Sequence, residues 1–179
     1  MVTDEDVEQT RARLAALAPV SDEQHARNRR VAQPVRQRGD RRRVSGLVLD
    51  TSALLAYASG ASVEPGAMLT LAEEDPDQQV WIPALCLGQA QLELAGTPAA
   101  AMLDLLFTED RDIQVAVYDA ATSRRVARIA AAFTVSLDVA HAIATAILYR
   151  CCLVTRDRKA IEAAAPPGLD VFDIGETWD

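Results

Sequence analysis

The sequence predicts an α/β fold, a largely parallel sheet covered by helices on both faces. Three observations carry that expectation. Short apolar runs alternate with longer stretches at helical spacing, the pattern of strand–helix–strand units. Pro76, Pro83, Pro98 and the pair Pro166-Pro167 punctuate those segments. The chain is 50% hydrophobic but only 4% aromatic, so alanine and leucine fill the apolar positions, a composition suited to helices packed against a sheet. At 179 residues it is long enough for one good core and too short for two large domains.

Residues 1 to 43 stand apart from this body. Thr3-Asp4-Glu5-Asp6 resembles a capping box, and Val7, Leu14 and Leu17 follow at helical spacing. They predict a short amphipathic helix to about Ala18, and Ser21 with Gln24 caps a second one. Residues 24 to 43 then hold eight arginines against the single acid Asp40, a local charge of +7. Such a polar, arginine-rich stretch buries little apolar surface and predicts a flexible N-terminal arm. Three readings of the arm stay open: nonspecific RNA binding, folding across an acidic body, or a leader without structure.

Residues 44 to 179 form the expected domain, with eight basic and nineteen acidic residues, a charge of -11. Strands are expected at 46–50, 79–82, 113–117, 151–155 and 170–173. Helices are expected at 52–58, 65–74, 84–95, 98–107, 120–132, 138–149 and 158–164. No internal repeat is visible, and Gly60, Gly66, Gly88 and Gly96 fit neither the P-loop nor the dinucleotide fingerprint. Cys86, Cys151 and Cys152 include no CxxC pair, and His25 and His141 lie far apart, so buried reduced thiols are expected rather than a zinc site. No apolar run reaches the ~20 residues of a membrane span. The acidic start Met1-Val2-Thr3-Asp4-Glu5-Asp6 lacks the basic-then-apolar order of a signal peptide, so a cytoplasmic protein with no membrane partner is expected.

The chemistry lies in isolated acids at segment edges. Asp50 ends the run Gly46-Leu47-Val48-Leu49, Asp138 opens the alanine-rich stretch from Val139, and Asp157 follows Leu153-Val154-Thr155-Arg156. Two are strand ends and one is a helix start. In an open α/β sheet, ligands gather beyond the carboxyl ends of the strands. Carboxylates brought together there repel, by roughly 4 kcal/mol for a pair about 4 Å apart at an effective dielectric near 20. A hard divalent cation relieves that cost. Each acid also has a plainer role as a helix cap.

Val48-Leu49-Asp50-Thr51-Ser52-Ala53-Leu54-Leu55 resembles the opening of a PIN domain, the fold of many bacterial VapC-type toxin ribonucleases. Ser136-Leu137-Asp138-Val139-Ala140-His141-Ala142 and Leu153-Val154-Thr155-Arg156-Asp157 resemble that family's third and fourth acidic motifs, in order and with agreeing spacing. The resemblance covers roughly residues 45 to 179 and implies a three-layer α/β/α sandwich. It implies that Asp50, Asp138 and Asp157 are catalytic and hold Mg²⁺ or Mn²⁺, activating water for attack on an RNA phosphodiester. Thr51, Ser52 and Thr155 would support these acids from behind. An RNA substrate, a cognate antitoxin and a homodimer follow from the same likeness.

One position departs from the pattern. In Leu85-Cys86-Leu87-Gly88-Gln89-Ala90, where the family's second acid is expected, the residue is Gln89. Glu93 lies four residues on and shares its helix face, so either Gln89 or Glu93 is the fourth ligand candidate. The alternative to a nuclease is therefore a degenerate PIN-like module that binds RNA or protein without efficient cleavage. Arg156 and Arg158 flank Asp157 and are candidates for phosphate contact, and Arg124, Arg125 and Arg128 form a basic helix patch. His141, three residues after Asp138 and on nearly the same face, is expected to pack beside alanines at the helix surface, with substrate contact or proton transfer as the sharper alternative.

Overall fold

The computed structural model describes residues 46–75, 77–107, 113–165 and 168–175. The N-terminal extension to residue 43, with its expected helices and arm, lies outside them.

Five strands form one sheet: β1 (Gly46–Leu49), β2 (Gln79–Pro83), β3 (Ile113–Ala116), β4 (Cys152–Thr155) and β5 (Val171–Asp173). Their order is β3-β2-β1-β4-β5, and every neighbouring pair is parallel. The central strands are buried at every position, Gly-Leu-Val-Leu in β1 and Cys-Leu-Val-Thr in β4. A strand covered on both faces has no need of apolar–polar alternation. At the edge, β3 exposes Gln114 and Val115. Gly46 meets a steric demand, because a Cβ there would fall 1.9 Å from the Gln79 carbonyl oxygen of the paired strand.

The helices are α1 (Thr51–Ser59), α2 (Glu64–Glu73), α3 (Ala84–Leu94), α4 (Ala100–Asp104), α5 (Ala120–Phe133), α6 (Leu137–Tyr149) and α7 (Arg158–Ala164). With the sheet they make the expected α/β/α sandwich. Strand boundaries fall within one residue of those expected. The expected helix 98–107 is shorter and ends in a 3₁₀ turn at Leu105–Phe107. Leu103 and Leu106 are both fully buried and three residues apart, and three is the period of the tighter helix.

Helix α6 is the central one. It packs on β1, β2 and β4 and touches both α3 and α5. Ala140 to Ala146 are buried without a break, so this helix is apolar on all sides. Small side chains allow that close approach. Near its carboxyl end the Tyr149 ring stacks on Trp81 of β2, with centroids 3.7 Å apart. Cys86, Cys151 and Cys152 are buried thiols that form no disulfide among the described residues. Among the described residues, no single helix is long and apolar enough to cross a membrane.

Candidate functional site

The strand order reverses between β1 and β4, because the chain runs outward through β2 and β3 before returning to β1's other side. In open α/β sheets such a reversal is where ligands bind, beyond the carboxyl ends of the two strands. Asp50 immediately follows β1, and Asp157 lies two residues after β4. The first turn of α6 carries Asp138 to the same end.

Asp50 is 4% exposed. It caps α1: its Oδ1 accepts the Ala53 N–H at 2.8 Å and the Ser52 hydroxyl at 2.7 Å. Both bonds end on the same oxygen, so Oδ2 stands outside them. Burial raises the Asp50 pKa above the ordinary carboxylate value, against the opposing pull of the Thr155 and Ser52 hydroxyls and the Ala53 and Ser52 N–H groups. The protein therefore leaves this charge under-compensated.

Asp138 differs. Burial pushes its pKa up, but the Ser136 hydroxyl, the Thr51 hydroxyl and the Val139 N–H outweigh it and hold the group below the ordinary value. Thr51 donates to Oδ2 at 2.6 Å, and Ser136 donates to Oδ1. Thr51 follows Asp50 directly, so a single hydroxyl ties the β1 corner to α6 across 87 residues of sequence. The Cys86 thiol adds a bond to the Asp138 carbonyl oxygen at 3.2 Å. Burial raises that thiol's pKa strongly, and the nearby charges of Asp50 and Asp138 raise it further, so it stays a protonated donor.

Ser52 and Thr155 join the third acid to this network. The Ser52 hydroxyl accepts the Arg156 N–H at 2.8 Å and lies 3.4 Å from the Thr155 hydroxyl. Thr155 Oγ1 in turn accepts the Asp157 N–H at 3.0 Å. The Asp157 carboxylate itself caps α7, accepting from Ala160 N–H at 3.1 Å, and the residue is exposed. Thr51, Ser52 and Thr155 are thus the hydroxyl scaffold between the acids.

The remaining candidates sit further out. Gln89 lies one turn along α3 from Cys86, and its side-chain amide donates to Glu93 at 2.9 Å. These two share a helix face, with Glu93 exposed and Gln89 half-buried. Arg158 is bridged to Glu162 at 2.6 Å, whereas Arg156 is exposed in the turn after β4.

His141 corrects the expectation of a surface imidazole, being 1% exposed. Its Nδ1 accepts the Leu85 N–H at 3.5 Å, in the first turn of α3, where helix N–H groups lack partners. The Tyr118 ring lies against it at 5.4 Å, and Nε2 is buried without a hydrogen-bond partner among the described residues. Burial lowers its pKa, which favours the neutral acceptor that the Leu85 bond needs. A histidine in an alanine run gives no hint of this cross-helix contact. Sequence reasoning also missed Ser136 and Cys86 as Asp138 partners; only the Ser136-x-Asp138 spacing carried a signal.

The donor chemistry suits a hard divalent cation. Asp50 is buried with its charge under-compensated, and it and Asp138 act on the same thiol. Mg²⁺ characteristically takes one or two carboxylates and completes its shell with water and phosphate. Among the described residues, no three His, Cys, Asp or Glu side chains form a ready-made ligand group. Asp50 and Asp138 are joined through Thr51 and the shared Cys86 thiol, while the Asp157 carboxylate is engaged at the start of α7.

No protein-family model matches the chain, and no curated protein matches it in sequence. Solved structures do share its fold. The crystal structure of VapBC2 from Rickettsia felis, bound to a DNA fragment from their promoter, superposes with a TM-score of 0.54 at 15% identity, over 71% of this chain and 97% of that one. The structure of FitAB bound to an IR36 DNA fragment gives a TM-score of 0.52 at 17% identity, over 74% and 98%. The fold is PIN-like, as the three motifs led one to expect.

Proposed function

We propose that this chain is a metal-dependent endoribonuclease and the toxin of a toxin–antitoxin pair. The observation that carries the reading is the hydrogen-bonded corner where Asp50, Thr51 and Asp138 meet the Ser52–Thr155 pair at the strand-order reversal. The fold shared with VapBC2 and FitAB supports it. In this reading Asp50 and Asp138 hold Mg²⁺ or Mn²⁺, with Asp157 completing the acidic set and Gln89 or Glu93 nearest the fourth position. The cation, when bound, polarises the scissile phosphate and lowers the pKa of a water.

The chain's own residues do the positioning. Thr51 and Ser136 keep Asp138 ionised, and Thr51 ties it to the corner of β1 that bears Asp50. Ser52 and Ala53 hold one oxygen of Asp50 and leave the other for a cation. Thr155 fixes the backbone that presents Asp157. A cytoplasmic location, a cognate antitoxin and a homodimeric state belong to the same proposal.

The test is cleavage of a structured RNA by purified protein in millimolar Mg²⁺ or Mn²⁺. Expected are cleavage with metal, none in EDTA and a loss of about two orders of magnitude or more in Asp138→Asn. A wild type inert across the whole metal titration would overturn the enzyme reading. A specific observation favours one second reading, a binding module: Gln89 is uncharged and already bonded to Glu93. RNA binding without cleavage would select it.

A further inference from the structure

We infer that the outer face of α5, continued by the turn into α7, is the surface that grips the RNA backbone beside the acidic corner. Residues 44 to 179 carry only eight basic side chains against nineteen acidic ones. Six of those eight fall on two segments: Arg124, Arg125 and Arg128 on α5, and Arg156, Arg158 and Lys159 around the start of α7. The two helices pack against each other. An acidic body that gathers its few cations on one pair of touching elements has a local surface of opposite sign to its net charge.

The face is built to stay charged and open. Arg124 and Arg128 are four residues apart, and Arg125 and Arg128 three, so all three lie on the side of α5 opposite Val126. Val126 is fully buried, and all three arginines are exposed. Helix α5 contains no acid between Ala120 and Phe133. The carboxylate at its own amino end, Asp119, is occupied as the helix cap by the Thr122 N–H at 2.7 Å. Arg158 is bridged to Glu162 and contributes little, but Arg156 and Lys159 are exposed.

Position matters as much as charge. At its carboxyl end α5 runs through Thr134 to Ser136 into the turn of α6 that bears Asp138. On its flank it meets α7, whose cap is Asp157. Helix α5 is therefore flanked by the two helices whose first turn or cap carries two of the three candidate acids. A polyanion reaching those acids needs a nearby site where its phosphates are neutralised, and this pair of helices provides one. Flexible single-stranded RNA, whose backbone can follow a curved helical ridge, is the partner that fits.

This inference rests on the RNA reading above, so its test separates the two. Binding of a fluorescent single-stranded RNA of about 20 nucleotides is measured by anisotropy in EDTA, with the full chain, across a salt series. The triple variant Arg124→Gln/Arg125→Gln/Arg128→Gln is expected to bind roughly tenfold more weakly at low salt. Its log–log salt slope should be shallower by about two, at about 0.7 for each single-strand phosphate that is no longer neutralised. The triple Lys variant should restore the slope, since only charge is needed. The basic segment 24–43 is common to all variants and cancels in the difference. Arg150→Asn, at the far end of α6, controls for the loss of one charge away from this face, to be set against the single Arg124→Gln, and keeps a residue that tolerates the left-handed backbone there. Unchanged affinity and slope in the triple Gln variant would overturn this face while leaving the nuclease proposal standing. A loss in Arg150→Asn equal to that in Arg124→Gln, or tighter binding of duplex DNA with the same dependence, would overturn it too. A wild type that binds no RNA would end both proposals. Should the triple variant fail to fold, the double Arg124→Gln/Arg128→Gln keeps the same readout.

Discussion

Two polar regions of this molecule obey different rules. At the β1–β4 corner, hydroxyls and backbone N–H groups converge on carboxylates that are wholly or half buried, and the bonds join elements far apart in sequence. One turn out along α3, the Gln89 and Glu93 side chains bond to each other, four residues apart on one helix, and among the described residues to no distant element. In the first region the polar groups are held by the fold, so removing one strands another in a poorly solvated place. In the second, water replaces whatever is lost. The contrast separates a site that folding must assemble from a pair that folding merely tolerates.

The largest effect that sharpens this contrast is on RNA cleavage. Asp50→Asn and Asp138→Asn should each lower it by about two orders of magnitude or more, the scale of losing one group that stabilises developing charge. Asn at position 50 still accepts the Ala53 N–H, so the helix cap survives and the loss reads as chemistry. Glu93→Ala should stay within about twofold of wild type if the exposed pair is as replaceable as its surroundings suggest. An equal loss at all three positions would erase the distinction.

The next largest effect is on stability. Ser52→Ala removes the acceptor of the Arg156 N–H, a donor to Asp50 and the contact with Thr155. A cost of about 1–3 kcal/mol in denaturant unfolding is expected, that of leaving polar groups unsatisfied. A change no larger than that of Glu93→Ala would show that the corner is as loosely held as the helix surface.

The two acids should also oppose each other in pH dependence. The folded pKa of Asp50 is raised, so its ionisation costs stability. That cost is absent below the unfolded value, grows as pH rises toward the folded one, and is complete above it. The folded pKa of Asp138 is lowered, so its ionised form contributes stability above the unfolded value, lost as pH falls through the folded one. Without metal at neutral pH, Asp50→Asn should melt higher than wild type and Asp138→Asn lower. Both should approach wild type in acid, where wild-type carboxyls are protonated. Shifts of the same sign would refute the assignment of the pair.

The two regions were not equally legible in the sequence. All five strands and the helices around Asp50, Asp138 and Asp157 follow from apolar runs broken by proline and acid, because strand burial on both faces writes itself as unbroken hydrophobicity. The acids themselves stood out at segment edges. Their partners did not. Cys86 and His141 act across helices whose contact depends on α6 fitting between α3 and the sheet, and no local pattern encodes that packing. The split of 98–107 into α4 and a 3₁₀ turn was decided by two buried leucines in the same way.

The smallest effect tests whether the second region can be drawn into the first. Gln89 is one turn from Cys86, whose thiol reaches Asp138, so it is the nearer of the two fourth-ligand candidates. Gln89→Glu replaces a donor to Glu93 with a second carboxylate four residues away. Like charges at that spacing cost a helix about 0.2–0.5 kcal/mol, so a slight loss of metal-free stability is expected. The same charge, added about 12 Å from a divalent cation across a partly solvated helix face with an effective dielectric of about 40, is worth about 1.4 kcal/mol, or roughly tenfold in metal affinity. Thermal melts across a Mg²⁺ series should therefore show Gln89→Glu starting below wild type and crossing above it. RNA cleavage should rise with the same midpoint. A variant that loses stability but never crosses would place Gln89 outside the reach of the cation. The exposed pair on α3 would then be surface chemistry alone, and the corner would have to work with the acids it already has.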